Sequence, residues 1–386
     1  MSEKSKSKKL KVLFLNSWYP NIYNETLGNF CEKHIETLMP FVEIISFSVF
    51  SHINLKKISI NENSGKLYPS YTAYFPKNKG IFKHLIHLIR FIKVVRIFNQ
   101  KFPFKQFDLV HVNVAYPLGI LAFYIKKKYG IPFVITEHST EYSKHPLNFS
   151  FFKKFLILKI FNNANEIFPV STDLKINLCK IGIKNNFFCI PNVVNTDIFQ
   201  LKTQNNTHFK RFIHISTANE EQKNVSGIIK VFLKISKTFP DIHLTILSDG
   251  KLDYLKELTK KNEKENFTFI GKSSINEIAM ELVKNDALIL FSNYENFPCV
   301  IPEAFSCGLP VISTNVNGIP EYVNSENGIL IQAKDEKALE KTVVNLYNGE
   351  IDFNSSEIRN FALKHFSYPS IGNAFYSRYK NILNVS

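Results

Sequence analysis

Two carboxylates, Glu295 and Glu303, stand with seven residues between them in the stretch from Ala287 to Val323, ALILFSNYENFPCVIPEAFSCGLPVISTNVNGIPEYV. Ala287–Phe291 is a continuous apolar run of the kind that a strand buried on both faces shows. A polar loop with Glu295 follows. A helix is then predicted over Cys299–Cys307, with Pro302 in its first turn, Gly308 as a left-handed cap and Pro310 just beyond. Val311–Thr314 reads as a second buried strand. Both acids are thereby placed at the carboxyl end of a parallel strand, where open α/β sheets bind ligands. The backbone N–H groups of Phe297, Cys299 and Val300 would point outward there, backed by the positive end of the helix dipole, which suits a diphosphate. Carboxylates accept hydrogen bonds from hydroxyls, so two of them around an anion site suit a nucleotide sugar. Taken singly, Glu295 reads more readily as a solvated loop charge and Glu303 as a partner of the helix dipole. The whole stretch carries the ligand reading.

These residues resemble the donor-site signature of the retaining glycosyltransferases of family 4: Ser292, Glu295, Glu303-Ala304, Ser306-Cys307-Gly308, Pro310-Val311 and Gly318-Ile319-Pro320-Glu321. The resemblance implies an α/β chain with the GT-B fold, two Rossmann-like domains facing across a cleft. It implies an acceptor-side domain at 1–200, a nucleotide-sugar-binding domain at 201–365, and a terminal helix at 366–386 that crosses back to the first. It also implies that Glu295 touches the donor sugar and Glu303 the ribose hydroxyls, with Asn296, Phe297, Cys299 and Val300 beside the nucleotide. Asn296 and Pro298 depart from the family, where glycines are common, and Pro298 removes one possible phosphate donor.

Other positions join this pattern. The first strand, Leu10–Asn16, leads into SWYPNIYNETLGNF and a helix over Asn29–Met39. Gly28 is the loop's only glycine, whereas a dinucleotide-binding strand would be followed by Gly-x-Gly-x-x-Gly, which argues against a nicotinamide dehydrogenase. The loop resembles the family's Trp-Tyr-Pro…Gly-x-Phe opening, which implies that Gly28 and Asn29 approach donor phosphate or acceptor; an ordinary loop glycine is the alternative. His138 follows the strand Phe133–Thr136, and the resemblance puts it by the donor sugar and reaction centre. Glu137 and Glu141 read as surface charges. Lys223, heading a helix to Lys237, is the implied diphosphate cation, although Ala218 stands where many relatives carry a second basic residue. Gly271 and Lys272, after the strand Phe267–Ile270, are implied to lie against the base. PNVVNTDIF resembles the family's hinge approach, with Val193 and Asn195 replacing Gly and Asp.

Composition bounds the rest. A chain of 386 residues, 45% hydrophobic and 21% charged, can hold two domains with sizeable cores. No apolar run approaches the ~20 residues of a membrane span. The basic start is followed by only Val12–Leu15 and no small-residue cleavage site, so a frayed tail is expected rather than a signal peptide. Five scattered cysteines without metal-type spacing fit a reducing cytoplasm. A net charge of +15 calls for an anionic partner, yet no nucleic-acid-binding module is recognisable. The helix expected over Ile81–Gln100 repeats Leu85, Leu88, Ile89, Ile92, Val95 and Phe98 at helical spacing, with Lys83, Arg90, Lys93, Arg96 and Lys101 off that stripe. It is either packed with a solvated basic face or in contact with an anionic membrane surface. NFSFFKKFLILKIF, Asn148–Phe161, repeats the theme. Further strands are expected at Val42–Phe50, Lys66–Phe75, Leu109–Val112 and Phe187–Ile190, and a linker at Lys202–His208.

The expected activity is retaining transfer of a sugar from a nucleotide-diphosphate sugar to a hydroxyl of a glycan or polyprenyl-lipid-linked glycan. Its setting would be bacterial cell-surface polysaccharide synthesis. The resemblance implies no metal and no other cofactor, and the partners would be the donor, the acceptor and an anionic membrane, not nucleic acid. The protein would be cytoplasmic and peripheral on the inner face of the plasma membrane. Two alternatives stand: a non-catalytic nucleotide-sugar-binding subunit, motivated by Ala218, and a GT-B nucleotide-sugar epimerase.

Overall fold

Runs of apolar residues buried on both faces build two open sheets in the computed structural model, which describes residues 9–80, 82–144, 149–202, 208–260 and 266–385. The basic start, Ile81, Asn148 and most of the expected linker lie outside the described residues.

In chain order the first sheet is built from β1 (Leu10–Asn16), α1 (Asn29–Thr37), β2 (Val42–His52), β3 (Ser59–Glu62), β4 (Ser70–Pro76), α2 (Lys83–Lys101), β5 (Leu109–Asn113), α3 (Gly119–Tyr129), β6 (Phe133–Glu137), α4 (Glu141–Lys144), α5 (Phe151–Asn163), β7 (Glu166–Pro169) and α6 (Thr172–Lys180). Its strand order is β3-β4-β2-β1-β5-β6-β7, parallel except for β3. The second follows with β8 (Arg211–Ser216), α7 (Glu220–Lys223), α8 (Val225–Ile235), β9 (His243–Ser248), α9 (Asp253–Thr259), β10 (Phe267–Ile270), α10 (Ile275–Val283), β11 (Ala287–Leu290), α11 (Val300–Ser306), β12 (Val311–Thr314), β13 (Gly328–Ile331), α12 (Glu336–Tyr347), α13 (Ser355–Phe366) and finally α14 (Tyr368–Leu383). Its order, β10-β9-β8-β11-β12-β13, is the doubly wound arrangement of a Rossmann sheet.

The chain divides into two compact units. One comprises Met1–Val170, Lys175–Ile190 and Ile371–Ser386; the other comprises Ser171–Leu174 and Pro191–Ser370. The second therefore begins near Pro191, not at 201, because the segment after Pro191 is bound into it. The Val194 N–H donates to the Phe366 carbonyl at 2.9 Å, Phe199 is fully buried, and Lys202 Nζ pairs with Asp286 at 2.6 Å. The chain's last helix counts with the first unit. Tyr379 hydrogen-bonds the buried His111, and Arg378 Nε donates to Glu166 at 2.9 Å. Gly372 has no room for a side chain, since a Cβ there would stand 2.3 Å from the Thr37 carbonyl oxygen.

Several expected elements differ. Phe187–Ile190 is no strand: it makes a single bridge to Ile167 beside β7. β4 starts at Ser70 rather than Lys66, and the antiparallel β3 pairs with it. The helix expected over Lys223–Lys237 is broken, because Asn224 adopts φ 48° between α7 and α8, so Lys223 ends a short helix instead of heading a long one. On α2 the expected stripe is packed only at its C-terminal end, at Phe98. Val94 and Phe98 are buried, Phe98 stacking on Phe47 at 3.9 Å, while Leu85, Leu88, Ile89 and Ile92 are exposed. The sheet needs only the C-terminal half of this crossover helix.

Candidate functional site

In the second sheet β8 and β11 are neighbours, but the chain leaves β8 toward β9 on one side and β11 toward β12 on the other. Their carboxyl-end loops diverge at this reversal, the place where open sheets of this kind bind ligands. Lys223, from the first loop, and Glu295, from the second, form an ion pair there with both side chains nearly buried. Ser292 Oγ donates to the same carboxylate at 2.9 Å, and Gln222 Nε2 donates to its other oxygen at 3.3 Å. The loops are laced together by the Asn293 N–H on the Gln222 carbonyl at 2.7 Å and the Asn293 side chain on the Glu221 carbonyl at 2.8 Å. From the loop after β12, Asn317 Oδ1 accepts the Glu295 N–H at 3.0 Å.

Beneath this layer His214 sets where the first loop starts. Its Nδ1 contacts the Ile289 carbonyl at 2.8 Å, so Nδ1 carries the proton and Nε2 accepts from Ser216 Oγ at 2.7 Å. The Ser216 oxygen in turn accepts the Ala218 N–H at 3.0 Å. Burial pushes the His214 pKa down to about 4, which keeps the ring neutral. Ala218 itself is buried at φ 52°, so the side chain that stands where relatives carry a base is a methyl group in the loop wall.

Glu303 lies on α11 and is buried; its charge, after burial itself, raises the neighbouring Cys307 thiol to about 12. α11 runs Val300–Ser306, shorter than Cys299–Cys307, with Cys299 as its cap and Gly308 at φ 74° closing it. Asn296 is buried. Phe297 and Val300 turn their side chains into the core, Phe297 against Tyr322 at 4.7 Å, which leaves their backbone groups alone to meet a ligand. Gly271 and Lys272 are not brought to the Lys223–Glu295 pair. They follow β10, two strands away and thus about 10 Å along the sheet. A Cβ on Gly271 would meet nothing within 4 Å.

In the first unit the corresponding reversal lies between β1 and β5. Gly28, at φ 67°, begins α1 so close to the chain that a Cβ would stand 2.6 Å from the Trp18 carbonyl carbon; Asn29, next to it, is exposed. His138 is buried with its ring 4.3 Å from Phe30 and 5.2 Å from His34. Beside it the structure corrects an expectation. Glu137 is no surface charge but is fully buried, its oxygens accepting the N–H groups of Ala115 at 3.0 Å and of His138 and Ser139 at 2.9 Å. Periodicity concealed it, since a strand buried on both faces has no solvent side for an acid.

Desolvation raises the Glu137 pKa from 4.5 to about 7, although the three N–H donors act to lower it. Between those values the folded chain keeps a proton that the unfolded chain has released. The group's contribution to stability is thus complete below about pH 4.5 and is lost as pH rises through 7, a change of about 3 kcal/mol. Glu137→Gln removes this titration. Its melting temperature, measured against wild type from pH 4.5 to 8, should start lower and converge toward wild type at high pH; a constant gap would refute the assignment. The lowered His214 acts in the opposite direction but cancels in the comparison.

Among the described residues no group of three or more His, Cys, Asp or Glu is gathered to hold a metal. Sequence reading missed Gln222 and Asn317; the latter's φ of 46° reflects an Asn-Gly pair, which is a visible turn signal.

Two doubly wound sheets, one with a buried Lys–Glu pair at its reversal, define a GT-B chain, and comparison with known proteins agrees. Residues 196–360 match the family described as Glycosyl transferases group 1, and residues 61–198 match Glycosyltransferase Family 4. The chain is 27% identical over 345 residues to a Methanocaldococcus jannaschii protein described as an uncharacterized glycosyltransferase, covering 88% of this chain and 89% of that one. Its fold is similar to sucrose-phosphate synthase from Thermosynechococcus elongatus, with TM-score 0.72, 16% identity, and 98% and 100% of the two chains covered. It is also similar to Anabaena HepE, solved in complex with UDP and glucose, with TM-score 0.70, 17% identity, and 96% and 99% covered. The chain belongs to the family 4 glycosyltransferases of the GT-B fold.

Proposed function

We propose that this glycosyltransferase moves a sugar, with retention of anomeric configuration, from a nucleotide-diphosphate donor to a hydroxyl of a lipid-linked glycan acceptor used for a bacterial cell surface. The buried Lys223–Glu295 pair at the strand reversal carries the reading. A lysine ammonium is a point charge suited to a departing diphosphate, and a carboxylate beside it orients sugar hydroxyls. Glu303 holds the ribose, and the backbone around Phe297, Cys299 and Val300 adds donors to the phosphates. His138, with Gly28 and Asn29, serves the reacting sugar and the acceptor, and Gly271 and Lys272 serve the base. Lys223 supplies the cationic charge, so transfer proceeds without a divalent metal. The proton of the acceptor hydroxyl passes to a phosphate oxygen of the leaving group. That the Anabaena relative in fold holds UDP and glucose supports a uridine donor.

A melting-temperature panel of UDP-, GDP- and ADP-sugars tests this. One donor class should raise the wild-type transition by several degrees and leave Glu303→Ala unshifted, because binding to the folded state alone stabilises by mass action. Product analysis with the best donor should show transfer only when acceptor is added, unaffected by EDTA. Turnover of donor to an isomer without acceptor would make it an epimerase instead.

A further inference from the structure

Three helices form one layer on the first sheet. Phe98 of α2 and Tyr129 of α3 each lie 6.3 Å from the Phe104 ring, and Lys159 of α5 sits 5.6 Å from the Phe123 ring of α3. Helices α1 and α14 pack with each other instead, His34 on Phe375 at 5.3 Å. In a parallel βαβ unit each helix begins near the carboxyl end of the strand it follows. The amino-terminal halves of α2, α3 and α5 therefore share one rim of the unit, the rim at which the loops carrying Gly28 and His138 also emerge.

That rim is apolar and exposed. Phe82, which caps α2, is 70% exposed and Leu85 56%, with Leu88, Ile89 and Ile92 beside them. α3 adds Ile120 and Tyr124; α5 adds Phe151 at 89%, Phe152 and Phe155. At 100° per residue the α2 set points away from Val94 and Phe98, so the apolar stripe faces outward while the core takes the opposite side. None of the three helices contains Asp or Glu; their amino-terminal halves carry Lys83 and Arg90 of α2 and Lys153 and Lys154 of α5, the three lysines of α3 standing at its far end. Lys93 and Arg96 lie along the α2 stripe and are exposed, while Lys83, also exposed, stands on the Val94 side.

We infer that this rim docks on an anionic lipid bilayer, with Phe82, Leu85, Ile89 and Ile92 and the exposed Phe residues of α5 entering the headgroup boundary and the lysines and arginines meeting lipid phosphates. A second copy of the chain is disfavoured by charge, because a two-fold contact through this surface would oppose basic residues to basic residues. The net charge of +15 acts in the same sense as the bilayer reading. The inference rests on the proposal of a lipid-borne acceptor, and it names the surface that brings the first unit's loops to that acceptor.

Flotation of the full chain with vesicles of phosphatidylglycerol and phosphatidylcholine in equal parts, against phosphatidylcholine alone, tests it. Wild type should float with the anionic vesicles only and be released by salt. Leu85→Ser/Ile89→Ser/Ile92→Ser should lower partitioning about tenfold or more. Lys93→Glu/Arg96→Glu should remove the preference for anionic lipid. Met280→Ser, at an exposed apolar position of the second unit, should float as wild type. The donor-induced melting shift read on the same samples reports folding and keeps the two readings apart. Donor binding without flotation overturns the docking surface alone, whereas flotation without donor binding overturns the transfer reading alone. Equal flotation of the triple variant and wild type, or a dimer dissolved by the triple variant without vesicle binding, also overturns the docking surface.

Discussion

Lys223→Ala should lower the melting temperature by roughly 10 °C and reduce sugar transfer by about two to three orders of magnitude. The stability loss arises because Glu295 stays behind as a buried carboxylate that has lost its cationic partner and keeps the neutral donors Ser292 Oγ and Gln222 Nε2. Removing one member of such a pair typically costs about 3–5 kcal/mol. The rate loss has a separate origin, the missing charge at the departing diphosphate. The double variant Lys223→Ala/Glu295→Gln separates them. With the orphaned charge gone, much of the melting temperature should return while transfer stays low. If activity recovers together with stability, the pair is a structural strut and the catalytic assignment falls.

Gly318→Ala should be among the most damaging single-methyl changes near the site. A Cβ there would stand 2.2 Å from the Asn296 carbonyl oxygen, so the loop after β12 or the loop after Glu295 has to move. Overpacking of this kind costs about 1–3 kcal/mol, and the displaced segment is the backbone between Glu295 and α11. The expected result is a melting temperature lower by several degrees together with donor affinity weakened about tenfold or more. The control for the melting temperature alone is Gly271→Ala, where nothing lies within 4 Å and no appreciable change in stability is expected. Equal, small melting shifts at both positions and unchanged donor affinity in Gly318→Ala would mean that the Gly318 loop yields freely and does not set the donor site. Gly250 belongs with Gly318, its Cβ position being 2.0 Å from the Thr217 carbonyl oxygen.

These close approaches mark where local reading runs out. Ala287–Leu290 and Val311–Thr314 were legible as buried strands because a run without a polar face needs cover on both sides. Gly308, at φ 74° with Pro310 following, ended α11 for reasons contained within a few residues. α2 was legible as a helix but not in its orientation. Both of its faces carry apolar residues, and the sheet buries the one with Val94 and Phe98. The break at Asn224 was also hidden, since the residues on either side suit a continuous helix; the bonds of Glu220 to the Ser226 N–H and hydroxyl hold the turn.

The amino-acid sequence by itself determined the two doubly wound halves and the family, because buried strands, caps and the Glu295…Glu303 motif depend on neighbours in the chain. Which partners meet across the fold was decided only in three dimensions. Lys223 and Glu295 are far apart in sequence and pair because β8 and β11 lie side by side at the strand reversal. Glu137, at the end of β6, holds its proton to about pH 7 because the loop after β5 and the neighbouring β7 bury it. The stripe of α2 faces outward because burial is shared out by the whole sheet, and no helix settles that from its own periodicity.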